Sequence, residues 1–234
     1  MTDNAREIAL RQIRDDDMPL LFRLFADPTR SHLWMRSRRV FDEAGFLYAW
    51  AAWCSDTIAA KFVIEAAGQP VGLVFDYDRA LEDGHTKVTT LLADDRTGHG
   101  SGVIATALMV RWLFQTLPFR KVYMEVYGYN AGVVRILRKV GFTEESILKE
   151  NRFWDGAYWD LHVLSLTRAD WPAVRDRLLR PRRRPLTPSA PNGSADRNSP
   201  SPWPAFGHPV SVDSGSVANV LRPVTFFEES DHVA

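Results

Sequence analysis

The chain has 234 residues, of which 45% are hydrophobic, and its 29 basic and 29 acidic residues give a formal net charge of zero. This size suits one full core with an extension. The balanced charge argues against a nucleic acid or an anionic membrane as partner, and no stretch reaches the roughly 20 apolar residues that span a bilayer. We therefore expect a cytoplasmic protein that binds a small molecule.

Cysteine and histidine usage argues against a disulfide or a metal centre. Cys54 is the single cysteine, which excludes an internal disulfide and a multi-cysteine zinc site. The six histidines show no spacing that is typical of metal ligands. We therefore expect no bound metal.

The composition changes sharply after Arg180. Nine of the fourteen prolines follow it, mixed with serine, asparagine and glycine, which is typical of a segment that cannot build a core. We predict a folded domain at residues 1–180 and a disordered tail at residues 181–234.

The first half of the domain alternates between strand and helix patterns. Apolar residues at every second position indicate strands, and apolar residues three and four apart indicate helices. In chain order these patterns predict a strand at 7–13, a helix at 15–27 with acidic capping residues, a helix at 41–56, two strands within 59–78 joined at Gly68, and a third strand at 85–94.

Residues 94–114 place glycines at alternate positions directly before a long apolar run. The strand is expected to end near Ala93, after which Gly98, Gly100 and Gly102 form a turn and a helix begins. The first turn of a helix has unpaired N–H groups and the positive end of the helix dipole. A turn without side chains lets a phosphate reach these donors, so the pattern favours a phosphate-bearing ligand.

The turn does not match either of two common phosphate-binding motifs, the P-loop and the dinucleotide fingerprint. A P-loop requires Gly-Lys followed by Ser or Thr, and the turn contains no lysine. A dinucleotide fingerprint requires Gly-x-Gly-x-x-Gly on the first strand of a parallel sheet, whereas this turn reads GHGSG and follows a meander. Glu125, at about the right distance to bind a ribose, is the one point in favour of the dinucleotide motif.

The segment TGHGSG resembles the coenzyme A pyrophosphate loop of the GNAT superfamily of N-acyltransferases. That family's motif is Arg or Gln, two residues, Gly, one residue, then Gly or Ala, and Gly100 and Gly102 match the two glycines. Thr97 stands where Arg or Gln is usual. The resemblance implies that coenzyme A contacts Thr97, Gly98, His99, Gly100, Ser101 and Gly102.

A second match lies downstream of the glycine turn. Residues 121–142 resemble the family's second signature, a strand that ends in Asn130 and a short helix that closes on Gly-Phe. Residues 151–171, with a turn at Gly156, look like the closing hairpin of the branch that acetylates ribosomal-protein N-termini and polyamines. The short helix is expected to bury an apolar stripe of Val133, Ile136, Leu137 and Val140.

The resemblance spans residues 8–171 and implies an α/β (α+β) fold, in which helices flank a single mixed, centrally splayed sheet. In this fold the strand before the glycine turn and the next strand separate, and the pantetheine arm of the cofactor lies in the gap. We expect the arm to use unpaired backbone groups of Leu91, Leu92 and Ala93, with Asn130 close to the cofactor.

The strand KVYMEVY and the residues after it present an apolar face of Val122, Met124 and Val126 and a polar face of Tyr123, Glu125, Tyr127 and Tyr129. The polar face is expected to line the cleft. Acyl transfer to an amine needs a base, and the resembled ribosomal-protein acetyltransferases carry a catalytic glutamate five residues before the Asn that matches Asn130. We predict that Glu125 is the base, with a water relay at Asp94 or Asp160 as the next candidate.

The family's usual acid is a tyrosine on the short helix, at the place of Leu137 in this sequence. Leucine cannot donate a proton. Either Tyr127 or Tyr129 replaces it, or the leaving thiolate takes its proton from water.

These patterns together predict an N-acyltransferase that moves an acetyl group from acetyl-CoA to a primary amine by direct transfer. The acceptor is either a peptide or protein N-terminus or the amine of a small metabolite or antibiotic. A coenzyme A-binding sensor or scaffold without turnover is the alternative, because Leu137 occupies the acid position. We expect a monomer or homodimer without a nucleic-acid or membrane partner.

Deleting residues 185–234 should leave the melting temperature and the affinity for coenzyme A nearly unchanged, because a Pro- and Ser-rich segment buries little apolar area. Thermal melting and calorimetry on the truncated and full chains measure the two quantities. A fall of many degrees in the melting temperature would show that the tail docks onto the domain.

Overall fold

The structure is a computed structural model that describes residues 8–35, 42–55, 59–93 and 100–179. The predicted tail lies outside these ranges, as do the candidate residues Asp94, Thr97, Gly98 and His99. Within these ranges no helix is long and apolar enough to cross a membrane.

Seven strands of the described chain form one sheet in the order β1-β2-β3-β4-β5-β7-β6. Their bounds are β1 Ile8–Arg11, β2 Lys61–Ala66, β3 Gln69–Ala80, β4 His85–Leu92, β5 Lys121–Tyr127, β6 Thr143–Trp154 and β7 Ala157–Thr167. Neighbouring strands run antiparallel, except for β4 and β5, which are parallel. The predicted mixed sheet is therefore confirmed.

Helices cover both faces of this sheet. Their bounds are α1 Met18–Ala26, α2 Glu43–Ser55, α3 Ser101–Thr116, α4 Ala131–Val140 and α5 Trp171–Leu179. The first two helices pack on one face, and the last three contribute to the core on the other face.

The central strands supply side chains to both cores. On β3, Leu73 and Phe75 are buried with α1 and α2, whereas Val74 between them is buried with α3. On β4, Leu91 belongs to the first of these cores and Val88 to the second. Because both faces of the sheet are covered, both sets of alternate side chains are apolar at its centre.

The parallel strands β4 and β5 pair over only three residues, the last pair being Lys87 and Tyr123. Beyond this point β4 stays paired with β3 as far as Leu92, and β5 stays paired with β7 as far as Tyr127. The two strands therefore diverge and leave a gap at the centre of the sheet. This gap confirms the splayed sheet that the resemblance implied.

The start of α1 differs from the predicted acidic cap. Asp17 precedes the helix without forming a side-chain capping bond, and its buried carboxylate instead binds Arg11 through both oxygens, at 2.7 and 2.8 Å. Hydrogen bonds from Arg11 lower the pKa of Asp17 and outweigh the opposite effect of burial. The acidic residue thus ties α1 to β1.

Two elements of the second half also differ from the prediction. β6 begins at Thr143, well before the predicted hairpin, and most of its residues up to Glu150 are exposed. The buried stripe of α4 consists of Val134, Leu137 and Val140. Ile136, which was expected in this stripe, is 43% exposed.

Gly72→Ala should destabilise the domain, because the added Cβ would lie 2.1 Å from the backbone oxygen of Leu91. The strands must separate locally, and overpacking of this kind costs roughly 1–3 kcal/mol. Thermal melting should show a decrease of several degrees. Gly132→Ala in α4 is the matched control, because nothing lies within 4 Å of its added Cβ, and an equal decrease in both variants would contradict this explanation.

Candidate active site

A cavity of about 420 Å³ occupies the gap between β4 and β5. Its walls come from these two strands, from the starts of α3 and α4, and from the segment that follows α1. The predicted site residues that line it are Leu92, Gly100, Gly102, Glu125, Tyr127 and Asn130. Leu91, Ala93, Ser101 and Tyr129 do not line it.

The N-terminus of α3 opens onto this cavity. Gly100 caps the helix in a left-handed conformation with φ of +111°, and nothing lies within 4 Å of the place where its Cβ would be. The first helical hydrogen bond runs from the Ile104 N–H to the Gly100 oxygen at 3.0 Å. The earlier N–H groups have no acceptor within the helix. This start can therefore hold a phosphate at the positive end of the helix dipole.

The edge of β4 that faces the cavity offers backbone groups for an extended ligand. The Ala93 N–H donates to the Val71 oxygen at 2.9 Å, so this residue faces β3. Antiparallel pairing alternates direction, so Leu91 also faces β3 and Leu92 faces the cavity. The Leu92 oxygen accepts a hydrogen bond from Arg30 Nη2 at 3.2 Å. Of the three predicted residues, Leu92 has the backbone orientation that a cofactor arm needs.

The opposite wall comes from the start and the inner face of α4. Asn130 precedes this helix, lines the cavity, and makes no capping hydrogen bond with its side chain. Leu137 is 3% exposed and lies between the core and the cavity. A hydrocarbon side chain therefore occupies the place where the family usually has its acid.

Glu125 lies where the two strands begin to diverge. As predicted from the alternation, Val122, Met124 and Val126 are buried in the core that includes α3, and Glu125 lines the cavity. Its carboxylate is 2.8 Å from Lys87 Nζ, which also lies 3.0 Å from the Asp78 carboxylate.

This arrangement keeps a charged amine beside a carboxylate at the bottom of the cavity. Burial lowers the pKa of Lys87, but hydrogen bonds to Glu125 and Asp78 outweigh burial and raise the pKa above its ordinary value. Asp78 adopts a positive φ of +49° at a point where the pairing of β3 with β4 shifts register. A bulge of this kind commonly redirects a side chain near a functional site.

The two candidate tyrosines have different surroundings. Tyr127 is 7% exposed and lines the cavity, and the Arg152 guanidinium lies 4.6 Å from the centre of its ring. The Tyr129 hydroxyl donates to the His32 carbonyl at 2.7 Å, and burial raises the pKa of Tyr129. Tyr127 is therefore the better placed of the two phenols to meet a ligand.

Asp160, the alternative base, lies on the closing hairpin and does not line the cavity. Its carboxylate accepts hydrogen bonds from Lys149 Nζ at 2.8 Å and from the Glu150 N–H at 3.0 Å. These cross-strand contacts give Asp160 a structural role in the hairpin.

Several residues around the cavity carry no sequence motif and were not predicted. They are Arg30, Asp78 and Lys87, together with the hydroxyls of Thr90 and Thr106, which are 2.8 Å apart. One feature of the sequence could have indicated Lys87 as a site residue. Apart from the histidine at its start, Lys87 is the single charged residue of β4. In the part of the chain that the structure describes, no group of three His, Cys, Asp or Glu side chains could hold a metal.

A splayed parallel pair, a free strand edge and a helix start suited to a phosphate define the class of coenzyme A-dependent acyltransferases. The chain belongs to the GNAT acetyltransferase family, whose "Acetyltransferase (GNAT) domain" model matches residues 7–143. The activity of this family, transfer of an acetyl group from acetyl-CoA to an amine, agrees with the activity predicted from the sequence.

The chain is also similar to individual members of this class. It is 24% identical to an SPbeta prophage-derived uncharacterized N-acetyltransferase of Bacillus subtilis (strain 168), over 71% of this chain and 93% of that protein. It is 24% identical to the spermidine N(1)-acetyltransferase of Escherichia coli (strain K12), over 66% of this chain and 83% of that protein.

The fold resembles that of a spermidine N-acetyltransferase from Vibrio cholerae, solved in complex with CoA and spermine. The TM-score is 0.65 at 20% sequence identity, and the match covers 70% of this chain and 98% of the other. At this identity the likeness confirms the predicted fold class.

Gly100→Asp should weaken the binding of coenzyme A by about tenfold or more, because its carboxylate would repel a phosphate at the helix start. Gly100→Asn is the matched control, because it imposes the same backbone strain at φ of +111° without the charge. Calorimetric titration of each folded variant with coenzyme A measures the difference. Equal affinities in the two variants would place the pyrophosphate elsewhere.

Proposed function

We propose that this chain acetylates the primary amine of a small molecule by direct transfer, with Glu125 as the general base. The observation that carries this proposal is the contact of 2.8 Å between the Glu125 carboxylate and the Lys87 ammonium inside the cavity. Because both groups line the cavity, an acceptor ammonium can take the place of Lys87 at this carboxylate and transfer a proton to it.

The donor side of the cavity fits coenzyme A through three features of the chain. The N-terminus of α3 at Gly100 and Gly102 would hold the pyrophosphate. The cavity-facing edge of β4 near Leu92 would hydrogen-bond the pantetheine arm in the manner of an added strand. Asn130 lies on the opposite wall and would hold the arm from that side.

Acetyl-CoA supplies an activated acetyl group, and the protein's own groups then manage protons and charge. Glu125 accepts a proton from the acceptor ammonium, which frees the lone pair for attack. Backbone N–H groups on the cavity edge of β4 stabilise the negative charge that develops on the carbonyl oxygen. Of the two predicted phenols, Tyr127 and Tyr129, only Tyr127 lines the cavity, and we assign it the donation of a proton to the leaving thiolate.

Two observations support a small-molecule acceptor rather than a protein N-terminus. The cavity, about 420 Å³ in volume, has the size that is typical of small-ligand sites. The spermidine acetyltransferase of Escherichia coli among the relatives acts on a small amine by its name. No observation favours the alternative of a binding domain without turnover.

Glu125→Gln should lower the acetyl-transfer rate by about 10²-fold or more, because the amide keeps the shape but cannot accept the proton. Release of free thiol from acetyl-CoA across an amine panel measures the rate, and calorimetry should show unchanged coenzyme A affinity. Glu145→Gln is the matched control, since Glu145 also pairs with a lysine, Lys121, but does not line the cavity.

A near wild-type rate in Glu125→Gln at neutral pH would refute the assignment of this base. If Asp78→Asn instead caused the loss, the base would be the other carboxylate that contacts Lys87. Binding of coenzyme A without thiol release for any amine would favour the domain without turnover.

A further inference from the structure

We propose that the acceptor carries a carboxylate in addition to its primary amine, and that Arg152 binds this carboxylate. The inference rests on the proposed function. Arg152 does not itself line the cavity, but it contacts the ring of Tyr127, which does. An acceptor of this kind differs from a polyamine, which carries only positive charges.

Arg152 is a half-buried guanidinium without an acidic partner among the described residues. The centre of the Tyr127 ring lies 4.6 Å from its guanidinium carbon. Carboxylates of the same hairpin bind other cations, since Glu144 pairs with Arg138 and Asp160 pairs with Lys149. A partly desolvated arginine with no counter-ion is suited to bind a carboxylate with two parallel hydrogen bonds.

Two nitrogens of the segment that follows α1 have no hydrogen-bond partner in the described part of the chain. The Trp34 indole N–H is a donor, whereas His32 Nδ1 donates or accepts according to its tautomer. Both nitrogens are buried, and Trp34 lines the cavity. His32 stacks on Trp154 with ring centres 4.4 Å apart, and it lies 5.6 Å from the ring of Tyr129. Buried polar groups are nearly always satisfied, so an unpaired donor beside a cavity indicates a ligand that accepts hydrogen bonds.

The local charge also favours an anion. Burial lowers the pKa of His32, and the positive charges of Arg152 and Arg30 lower it further. These influences on the pKa of His32 outweigh that of the Asp27 carboxylate, which raises it. A carboxylate at this place would meet attraction rather than repulsion.

The charges around the cavity are less suited to the several ammonium groups of a polyamine. Asp78 and Glu125 are the carboxylates that line the cavity, and both already contact the Lys87 ammonium. Once the reacting ammonium of a polyamine contacts Glu125, Asp78 is the one carboxylate left among the described lining residues for its other ammonium groups, and Asp78 already pairs with Lys87. A second ammonium would also lie near the positive charge of Arg152, which disfavours its binding.

The strand geometry sets the distance between the two recognised groups of the acceptor. Glu125 and Tyr127 are two residues apart on β5, which separates them by about 7 Å. The Arg152 guanidinium carbon lies 4.6 Å from the centre of the Tyr127 ring. The amine and the carboxylate of the acceptor are therefore several bonds apart, as in an ω-amino acid or a short peptide, rather than on one carbon atom.

The test compares acceptors that differ only in the carboxylate. Thiol release from acetyl-CoA is measured with 6-aminohexanoate, hexylamine and spermidine as acceptors. We expect kcat/KM for 6-aminohexanoate to exceed the values for hexylamine and spermidine by about tenfold or more. Arg152→Gln should abolish this preference, measured as the ratio of kcat/KM for 6-aminohexanoate to kcat/KM for hexylamine, and Arg152→Lys should restore part of the ratio.

A matched control and a measurement without turnover complete the test. Arg175→Gln removes an exposed arginine of α5 that pairs with Asp176, and it should leave the preference intact. Calorimetry with 6-acetamidohexanoate in the presence of coenzyme A reports recognition of the carboxylate directly. Binding that is lost in Arg152→Gln supports the inference even if no acceptor in the panel turns over.

Three results would overturn the inference. The first is an equal loss of kcat/KM for hexylamine and 6-aminohexanoate in Arg152→Gln. The second is that spermidine is the best acceptor of the unmodified chain. The third is equal binding of 6-acetamidohexanoate to the unmodified chain and to Arg152→Gln. Failure of the proposed function is distinguishable, because thiol release would then be absent for every amine while coenzyme A still binds.

Discussion

The break in pairing between β4 and β5 after Lys87 and Tyr123 determines the rest of this structure. Each strand keeps its other neighbour, so the sheet remains intact while one edge of each strand turns toward a cavity. Backbone N–H and C=O groups on such an edge need partners. The protein supplies one of them from Arg30, which binds the Leu92 oxygen, and leaves the cavity open for an extended ligand.

The same break explains why the charged groups of the site lie together. Lys87 pairs with Tyr123, and this is the last pair before the strands separate. Glu125 lies two residues after Tyr123 on β5. At this point the two side chains are close enough for a contact of 2.8 Å. Farther along the strands the gap would be too wide for a direct ion pair. The candidate base therefore lies at the closed end of the cavity, where a ligand entering from the open end must stop.

Much of the fold and part of the site could be predicted from the sequence. The alternation on β5 correctly assigned Val122, Met124 and Val126 to the core, because side-chain direction along a strand is a local property. It separated the cavity less well, since Met124 and Val126 line the cavity together with Glu125 and Tyr127, whereas Tyr123 and Tyr129 do not. The glycine turn and the apolar run after it located the start of α3 to within a residue or two. Predictions of this kind depend on neighbouring residues alone.

The remaining features depend on contacts between distant parts of the chain. The partners of Lys87 come from β3 and β5, and no local pattern indicates which strands will be neighbours. The early start of β6 was missed because its first residues are mostly exposed and pairing shifts occur at Glu144/Ser146 and Leu148/Arg152, which removes the apolar alternation. Ile136 was assigned to the core because helical spacing does not reveal that one side of α4 faces a cavity.

The two ends of the cavity are built in different ways, and this difference explains how the chain can share a fold with spermidine acetyltransferases at only 20–24% identity. The proposed donor end consists of backbone groups of β4 and of the first turn of α3, which many sequences can provide as long as the sheet splays. The acceptor end proposed above depends on individual side chains, such as Arg152 beside Tyr127. Family membership therefore fixes the donor chemistry, whereas the acceptor has to be inferred from the charges of this chain.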